Sequence, residues 1–328
     1  VYLYGVQQLI DRIFSIKTQR DFDLVALEVY RFQREHVPVY KQFVDLLRKP
    51  EPQTVSDIPF LPISFFKTHS IIAEGMHPQT VFKSSGTTGM ERSQHLVADI
   101  SLYERSFLPT YAHFIGPLEN QLIFALLPNY VEQGESSLVY MVDHLIRATK
   151  HELSGFYLND AEALLKAIEE GRKTGRKLVL FGVSYALLDL ADQQVNLSDV
   201  QIIETGGMKG RRKEITKEVL HAELKQAFGC DFISSEYGMS ELLSQAYSDK
   251  NGLFDLPPWM SVQLRDVNDP FSLVAEGKTG GVNVIDLANL YSCAFIATQD
   301  LGKINNGQLQ LMGRFDQADL RGCNLLVQ

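Results

Sequence analysis

Apolar residues recur at helical spacing over residues 1–48. Leu9, Ile10, Ile13 and Phe14 form one set, Val25, Leu27, Val29, Tyr30 and Phe32 a second, and Tyr40, Phe43, Val44 and Leu47 a third. This spacing predicts helices with one buried face. The Pro-containing stretch 51–62 interrupts it. Beyond it, compact apolar runs alternate with helical spacing. Strands are predicted over 121–127, 177–181, 200–203 and 230–233. Helices are predicted over 99–114, 136–147, 159–173, 184–192 and 211–228, with Asn159 or Asp160 capping the third. Strand and helix alternating through short joins predict a mostly parallel sheet flanked by helices, an α/β fold. From residue 261 the runs shorten (261–264, 281–285, 293–297, 308–312) and Gly, Asp and Asn separate them, which predicts a small antiparallel β subdomain. The expected organisation is an α/β core with N-terminal helices over 1–260, then a β-rich subdomain and hinge-like C-terminal segment over 261–328.

Composition narrows the function classes. Apolar residues make up 45 % of the 328 residues and charged residues 22 %, both ordinary for a globular chain. A net charge of -9 argues against general nucleic-acid binding, and the basic run 209–213 is too short to reverse that. No apolar run is long enough to predict a membrane span. The start, Val1-Tyr-Leu-Tyr-Gly5, lacks the basic residues and cleavage site of a signal peptide. Cys230, Cys293 and Cys323 have neither zinc nor disulfide spacing, so a reducing cytoplasm is the expected compartment.

The chemistry concentrates in three clusters. Ser84-Ser85-Gly86-Thr87-Thr88-Gly89 places four hydroxyls and two glycines in six positions. Such a loop turns sharply and offers N–H and O–H groups to an anion, which suits nucleotide phosphates. The alternative is a polar hairpin tip. A Walker A loop is excluded, because Glu91 stands where that motif needs its second glycine. Behind this loop come Tyr237-Gly238-Met239-Ser240-Glu241, then Thr298-Gln299-Asp300 with Gly313-Arg314-Phe315-Asp316.

In this order, the clusters resemble the adenylate-forming superfamily of acyl-CoA synthetases and their relatives. The chain is most similar to the acyl-protein synthetase (LuxE) family. That similarity is carried by Leu61-Pro-Ile-Ser-Phe-Phe-Lys67, the hydroxyl loop, Arg92-Ser93 with His95, Gly134-Glu-Ser-Ser-Leu-Val-Tyr140, Glu204-Thr-Gly-Gly-Met-Lys-Gly210 and Arg321-Gly322-Cys323. The resemblance implies the large domain of adenylate-forming enzymes without the C-terminal domain that carries an assisting lysine. Lys67 and Arg92 are candidate replacements for that cation. It implies ATP and Mg²⁺ as cofactors, a carboxylic acid as substrate, and a reductase or transferase as acyl acceptor. Ser84, Ser85, Gly86, Thr87, Thr88 and Gly89 would hold phosphates, with Thr88 taking part in catalysis. Gly206, Gly207, Tyr237 and Gly238 would receive the adenine, Asp300 would accept from the ribose hydroxyls, and Arg314 would approach the ribose or the phosphate. Glu241 would be the catalytic metal ligand. Cys323 would accept the acyl group as a thioester.

Two other readings stay open. Gly182-Val-Ser184-Tyr-Ala186 after an apolar strand imitates the nucleophile elbow of α/β-hydrolases, with His221 the histidine downstream. A catalytically weak nucleotide- or acyl-binding subunit is the third reading. Phe124, Leu138, Tyr140 and Phe181 are candidate liners of an acyl pocket, or simply core.

Overall fold

The computed structural model describes residues 2–85, 91–128, 134–208, 210–213 and 215–315. Helices α1 (Tyr2–Ile13), α2 (Gln19–His36) and α3 (Pro38–Leu47) follow the predicted spacing. Thr18 caps α2: its hydroxyl accepts from the Asp21 amide while Asp21 accepts from the Thr18 amide. Pro38 then opens α3, where its missing N–H costs nothing. Next come β1 (Leu61–Pro62), α4 (Phe65–Thr68), β2 (Thr80–Lys83), β3 (Gln94–Val97) and α5 (Ile100–Phe114). The alternating region holds β4 (Gln121–Leu126), α6 (Ser137–Thr149), β5 (Gly155–Phe156), α7 (Ala161–Arg172), β6 (Lys177–Val183), α8 (Ser184–Ala191), β7 (Val200–Thr205), α9 (Lys217–Phe228) and β8 (Ser234–Tyr237). The remainder is β9 (Ala246–Ser248), β10 (Leu253–Asp255), β11 (Met260–Arg265), β12 (Thr279–Asp286), β13 (Phe295–Asn305) and β14 (Gln308–Arg314).

Contacts divide the chain into two units. The first comprises the residues up to Phe107, the short segment Ser240–Gln245, and the chain from Leu253 onward. The second comprises Leu108–Met239 and Ala246–Gly252.

In the first unit, β11, β12, β13, β14 and β10 follow one another in the sheet, each pair antiparallel. β1 lies parallel to the start of β13. Helix α2 docks here through buried Gln33. Its amide donates to the Asn289 and Leu290 carbonyls and accepts from the Ala294 amide. Tyr40 stacks on Phe295 at 6.0 Å and donates its hydroxyl to the Pro59 carbonyl.

In the second unit, β5, β4, β6, β7 and β8 form a parallel sheet, and β9 pairs antiparallel with β8. β4 is buried throughout and β6 from its second residue, which is why they read as unbroken apolar runs. Phe124 and Phe181 are fully enclosed in this sheet.

Two elements shift from their predicted places. The helix expected over 211–228 starts at Lys217, because Thr216 takes an extended backbone and caps it by accepting from the Val219 amide. Arg212 instead pairs with Asp189 and Asp192 at the end of α8, and Arg211 stacks over Tyr185 at 4.8 Å. The strand expected over 230–233 forms at Ser234–Tyr237. Gly229 ends α9 at φ +66°, and Phe232 is left 41 % exposed. A run of Ser-Ser-Glu-Tyr is hidden from hydropathy, yet all four residues are buried and hydrogen bonds accommodate their polar groups.

Candidate functional site

The first unit gathers one group of site residues. β2 and β3 pair from Thr80–Val97 to Lys83–Gln94, and the Ser84 amide continues the ladder by donating to the Ser93 carbonyl at 3.1 Å. The hydroxyl-rich loop is therefore the connection of a hairpin. Ser84 anchors its base: its hydroxyl accepts from the Ser93 amide at 3.0 Å, and its carbonyl accepts from Arg92. Ser85 is exposed at the loop's start. Gly86, Thr87, Thr88 and Gly89 lie outside the described residues, as do Asp316, Arg321 and Cys323.

Ser93 is buried and its hydroxyl meets the Glu241 carboxylate. Glu241 is only 5 % exposed. Burial pushes its pKa up. The Ser93 hydrogen bond and the Arg314 charge oppose this, while the Asp300 charge adds to it. Glu241, Asp300 and Arg314 therefore lie within electrostatic reach of one another. Asp300 and Arg314 are register partners on β13 and β14, and the pairing shifts between Leu301 and Gly302 beside them. Bulges of this kind re-aim side chains at functional positions. Thr298 serves the backbone: its hydroxyl donates to the Val282 carbonyl and accepts from the Asp300 amide. Arg314 donates to the Gln299 side chain at 3.0 Å.

Arg265 was not among the expected residues. Its guanidinium donates to the Val282 carbonyl at 2.9 Å, to Asn283 at 2.8 Å and to the Thr298 carbonyl. Its charge also faces Asp300. A side chain at Gly281 would strike it, since a Cβ there would lie 2.8 Å from the Arg265 Cζ. The one sequence signal was the Gly280-Gly281 pair inside a strand, a mark of close approach.

The second unit holds the other group at the C-terminal ends of its parallel strands, where ligands of such sheets bind. Gly206 turns the chain after β7 at φ +73°, a conformation that favours glycine. Among the described residues, Gly207 has no atom within 4 Å of where a Cβ would sit. Tyr237 ends β8 opposite Ala246 and is 7 % exposed; Gly238 follows it.

Beneath these residues lies a buried polar network. Glu204 accepts from the Ser184 hydroxyl at 2.5 Å, from Lys217 at 2.7 Å and from the Ser235 hydroxyl at 2.9 Å. Burial opposes its charge, but Lys217 and the hydrogen bonds from His221, Lys217 and Ser184 hold the carboxyl down at about 2. On the neighbouring strand Glu236 accepts from Thr205, yet burial pushes it up to about 7, helped by the Glu204 charge. This network answers the nucleophile-elbow reading. Ser184 is buried with its hydroxyl committed to Glu204, and His221 meets Ser235 at 3.1 Å.

No family model matches the chain, and no curated protein matches it in sequence. Solved structures do. 2-Hydroxyisobutyryl-CoA ligase, in the postadenylation state with R3-HIB-AMP, aligns over 90 % of this chain and 68 % of its own, with TM-score 0.64 and 11 % identity. The chain shares the fold of this ligase. ATP-bound MatB from Rhodopseudomonas palustris aligns over 71 % of this chain at TM-score 0.54 and 18 % identity. The alignment covers 47 % of MatB, so the chain spans about half the length of that relative in the fold. O-succinylbenzoate coenzyme A synthetase (MenE) from Bacillus subtilis, in complex with AMP, aligns over 74 % of this chain and 63 % of its own, at TM-score 0.50 and 16 % identity.

Proposed function

We propose that the chain is an ATP-dependent adenylate-forming ligase that activates a carboxylic acid, and that it belongs to the acyl-protein synthetase type. The observation that carries this reading is the convergence of Ser84, Ser93, Glu241, Asp300 and Arg314 in one unit of an adenylate-forming fold. In the first half-reaction the substrate carboxylate attacks the α-phosphorus of ATP, forming acyl-AMP and releasing pyrophosphate. The hydroxyl loop from Ser84 to Gly89 holds the phosphates, with Thr88 at the reacting group. Gly206, Gly207, Tyr237 and Gly238 receive the adenine. Asp300 accepts from the ribose hydroxyls, and Arg314 donates to the ribose or phosphate.

Glu241 would hold Mg²⁺, which supplies neutralising charge to the phosphates. Among the described residues no group of three or more His, Cys, Asp or Glu could cage a metal by itself. Mg²⁺ commonly binds through one or two carboxylates together with the phosphates of its nucleotide, and Glu241 offers one such carboxylate.

In the second half-reaction the Cys323 thiolate attacks the acyl carbonyl of acyl-AMP, and AMP leaves. The other two thiols suit this step poorly. Burial pushes Cys293 up to about 12 and raises Cys230 as well. Coenzyme A is the competing acceptor, because a 2-hydroxyisobutyryl-CoA ligase of this fold binds it alongside 2-HIB-AMP.

The test is a panel of carboxylic acids assayed for ATP–pyrophosphate exchange, followed by incubation with labelled acid and ATP. The reading expects exchange with at least one acid and protein-bound label that hydroxylamine removes. Cys323→Ser should retain exchange and lose the label. Acyl-CoA formation without protein label would transfer the second half-reaction to CoA, and ATP binding without exchange would leave a binding subunit.

A further inference from the structure

Glu241 lies in Ser240–Gln245, the short excursion of chain that belongs to the first unit. This segment contains no helix or strand, so no ladder of backbone hydrogen bonds fixes it. Its buried backbone groups must find other partners. The Ser240 carbonyl lies 2.9 Å from His95 Nδ1. The Glu241 carbonyl accepts from Asn289 Nδ2 at 2.9 Å. The Leu243 and Ser244 amides donate to Asp286 at 2.6 and 3.0 Å.

Asn289 is the hub. Its second Nδ2 hydrogen goes to the Cys293 carbonyl at 2.9 Å. With both amide hydrogens committed to carbonyls, the side chain cannot flip, and its Oδ1 is left facing His95 Nε2 at 3.0 Å. His95 is fully buried, with the Phe66 ring edge-on at 5.7 Å. A neutral imidazole carries a single N–H; with it on Nδ1, His95 donates to the Ser240 carbonyl and its Nε2 packs against Asn289 Oδ1, so the two side chains and the backbone of Ser240 and Glu241 close a ring of contacts.

We propose that His95 and Asn289 are positioning residues for Glu241: this ring fixes the peptide that carries the carboxylate. The role of that carboxylate rests on the nucleotide reading above, whereas the ring itself does not. Neither side chain need touch nucleotide or metal. A carboxylate displaced by about 1 Å loses the alignment on which rate depends.

Two substitutions separate the contacts. His95→Asn places an amide nitrogen near the Nδ1 position and can still reach Ser240. His95→Gln places one near Nε2 and can still reach Asn289. Hydrogen exchange over residues 238–245 is measured for the full chain, together with the Mg²⁺ dependence of pyrophosphate exchange. His95→Gln should speed hydrogen exchange in this segment about tenfold, the loss of roughly one hydrogen bond, with cooperative unfolding retained. It should also raise the Mg²⁺ concentration for half-maximal activity more than His95→Asn does. A lowered melting temperature with unchanged exchange in 238–245 would show a general structural role and overturn the proposal. If the wild type shows no pyrophosphate exchange with any acid, the nucleotide reading fails and the metal role falls with it. Hydrogen exchange then still decides whether the ring holds the segment.

Discussion

Glu204 in the second unit and Glu241 in the first are nearly equally buried, at 1 % and 5 % exposed, yet their surroundings differ. Glu204 is met directly by an ammonium group and by two hydroxyls, which together overcome the cost of burying its charge. Glu241 is raised by burial; it takes a hydroxyl from Ser93 and feels the Arg314 charge, both of which lower its pKa, and is repelled by Asp300. The first arrangement satisfies a carboxylate and leaves it little to give a ligand. The second leaves a carboxylate that a cation would stabilise. Burial alone does not distinguish scaffold from site. On the proposed reading of Glu241 as the metal ligand, the charge of the nearest donor does.

The largest effect expected from this contrast is on stability. Glu204→Ala should cost about 3 kcal/mol in urea unfolding, because it strands Lys217 and two buried hydroxyls. The cost stays near the lower end of the range for broken buried pairs because Lys217 is 37 % exposed. The same carboxylate gives an acid limb. Its folded pKa of about 2 lies below its ordinary 4.5, so its stabilisation is complete above pH 4.5 and is lost as the pH falls through 4.5 toward 2. Glu241→Ala should behave in the opposite way, leaving the unfolding midpoint nearly unchanged while reducing pyrophosphate exchange about a hundredfold. A Glu241 variant with full exchange would remove the distinction drawn between the two carboxylates.

Much of this layout is legible in the sequence. Unbroken apolar runs and period-3.6 spacing locate most elements, because the parallel strands are buried on both faces and the N-terminal helices on one. β8 escapes detection because hydropathy scores Ser234, Ser235 and Glu236 as solvated, and only tertiary partners on β7 and α9 make burial tolerable. The start of α9 escapes because Arg211 to Lys213 extend the apparent helix, whereas Thr216 is the cap. The motifs around Ser84, Glu241 and Asp300 are visible as residues, but their convergence is not: 59 positions separate Glu241 from Asp300 along the chain. Arg265 and Asn289 carry no motif at all, since they act on backbone carbonyls brought near only by the fold.

A middle-sized effect concerns Glu236, the neighbour of Glu204 on β8. Its folded pKa of about 7 lies above its ordinary 4.5. Between those values the folded chain holds a proton that the unfolded chain has released, so stability falls as the pH rises from 4.5 to 7. Stability should therefore be greatest near pH 4.5 to 5 as far as these two groups decide it, with an acid limb from Glu204 and an alkaline limb from Glu236. Glu236→Gln keeps an acceptor for Thr205 and removes the ionisation. It should raise stability at pH 8 by about 3 kcal/mol and leave pH 4.5 almost unaffected. Equal unfolding curves for the variant and the wild type at pH 8 would show that Glu236 ionises in the folded chain without penalty.

The smallest effect tests how far the Glu204 clamp depends on its helix. Thr216→Ala removes the cap of α9 and should cost about 1 kcal/mol. The next residue is Lys217, a cation at the positive end of a helix dipole, where Glu204 offsets the repulsion. Losing the cap lets the first turn fray and moves that cation, so the two residues should not act independently. In Glu204→Gln the ammonium has already lost its charged partner, and removing the cap should then cost less than it does in the wild type. A double-mutant cycle should show coupling of about 0.5 kcal/mol or more. Strict additivity would mean that the clamp holds Lys217 in place whatever the state of the helix end.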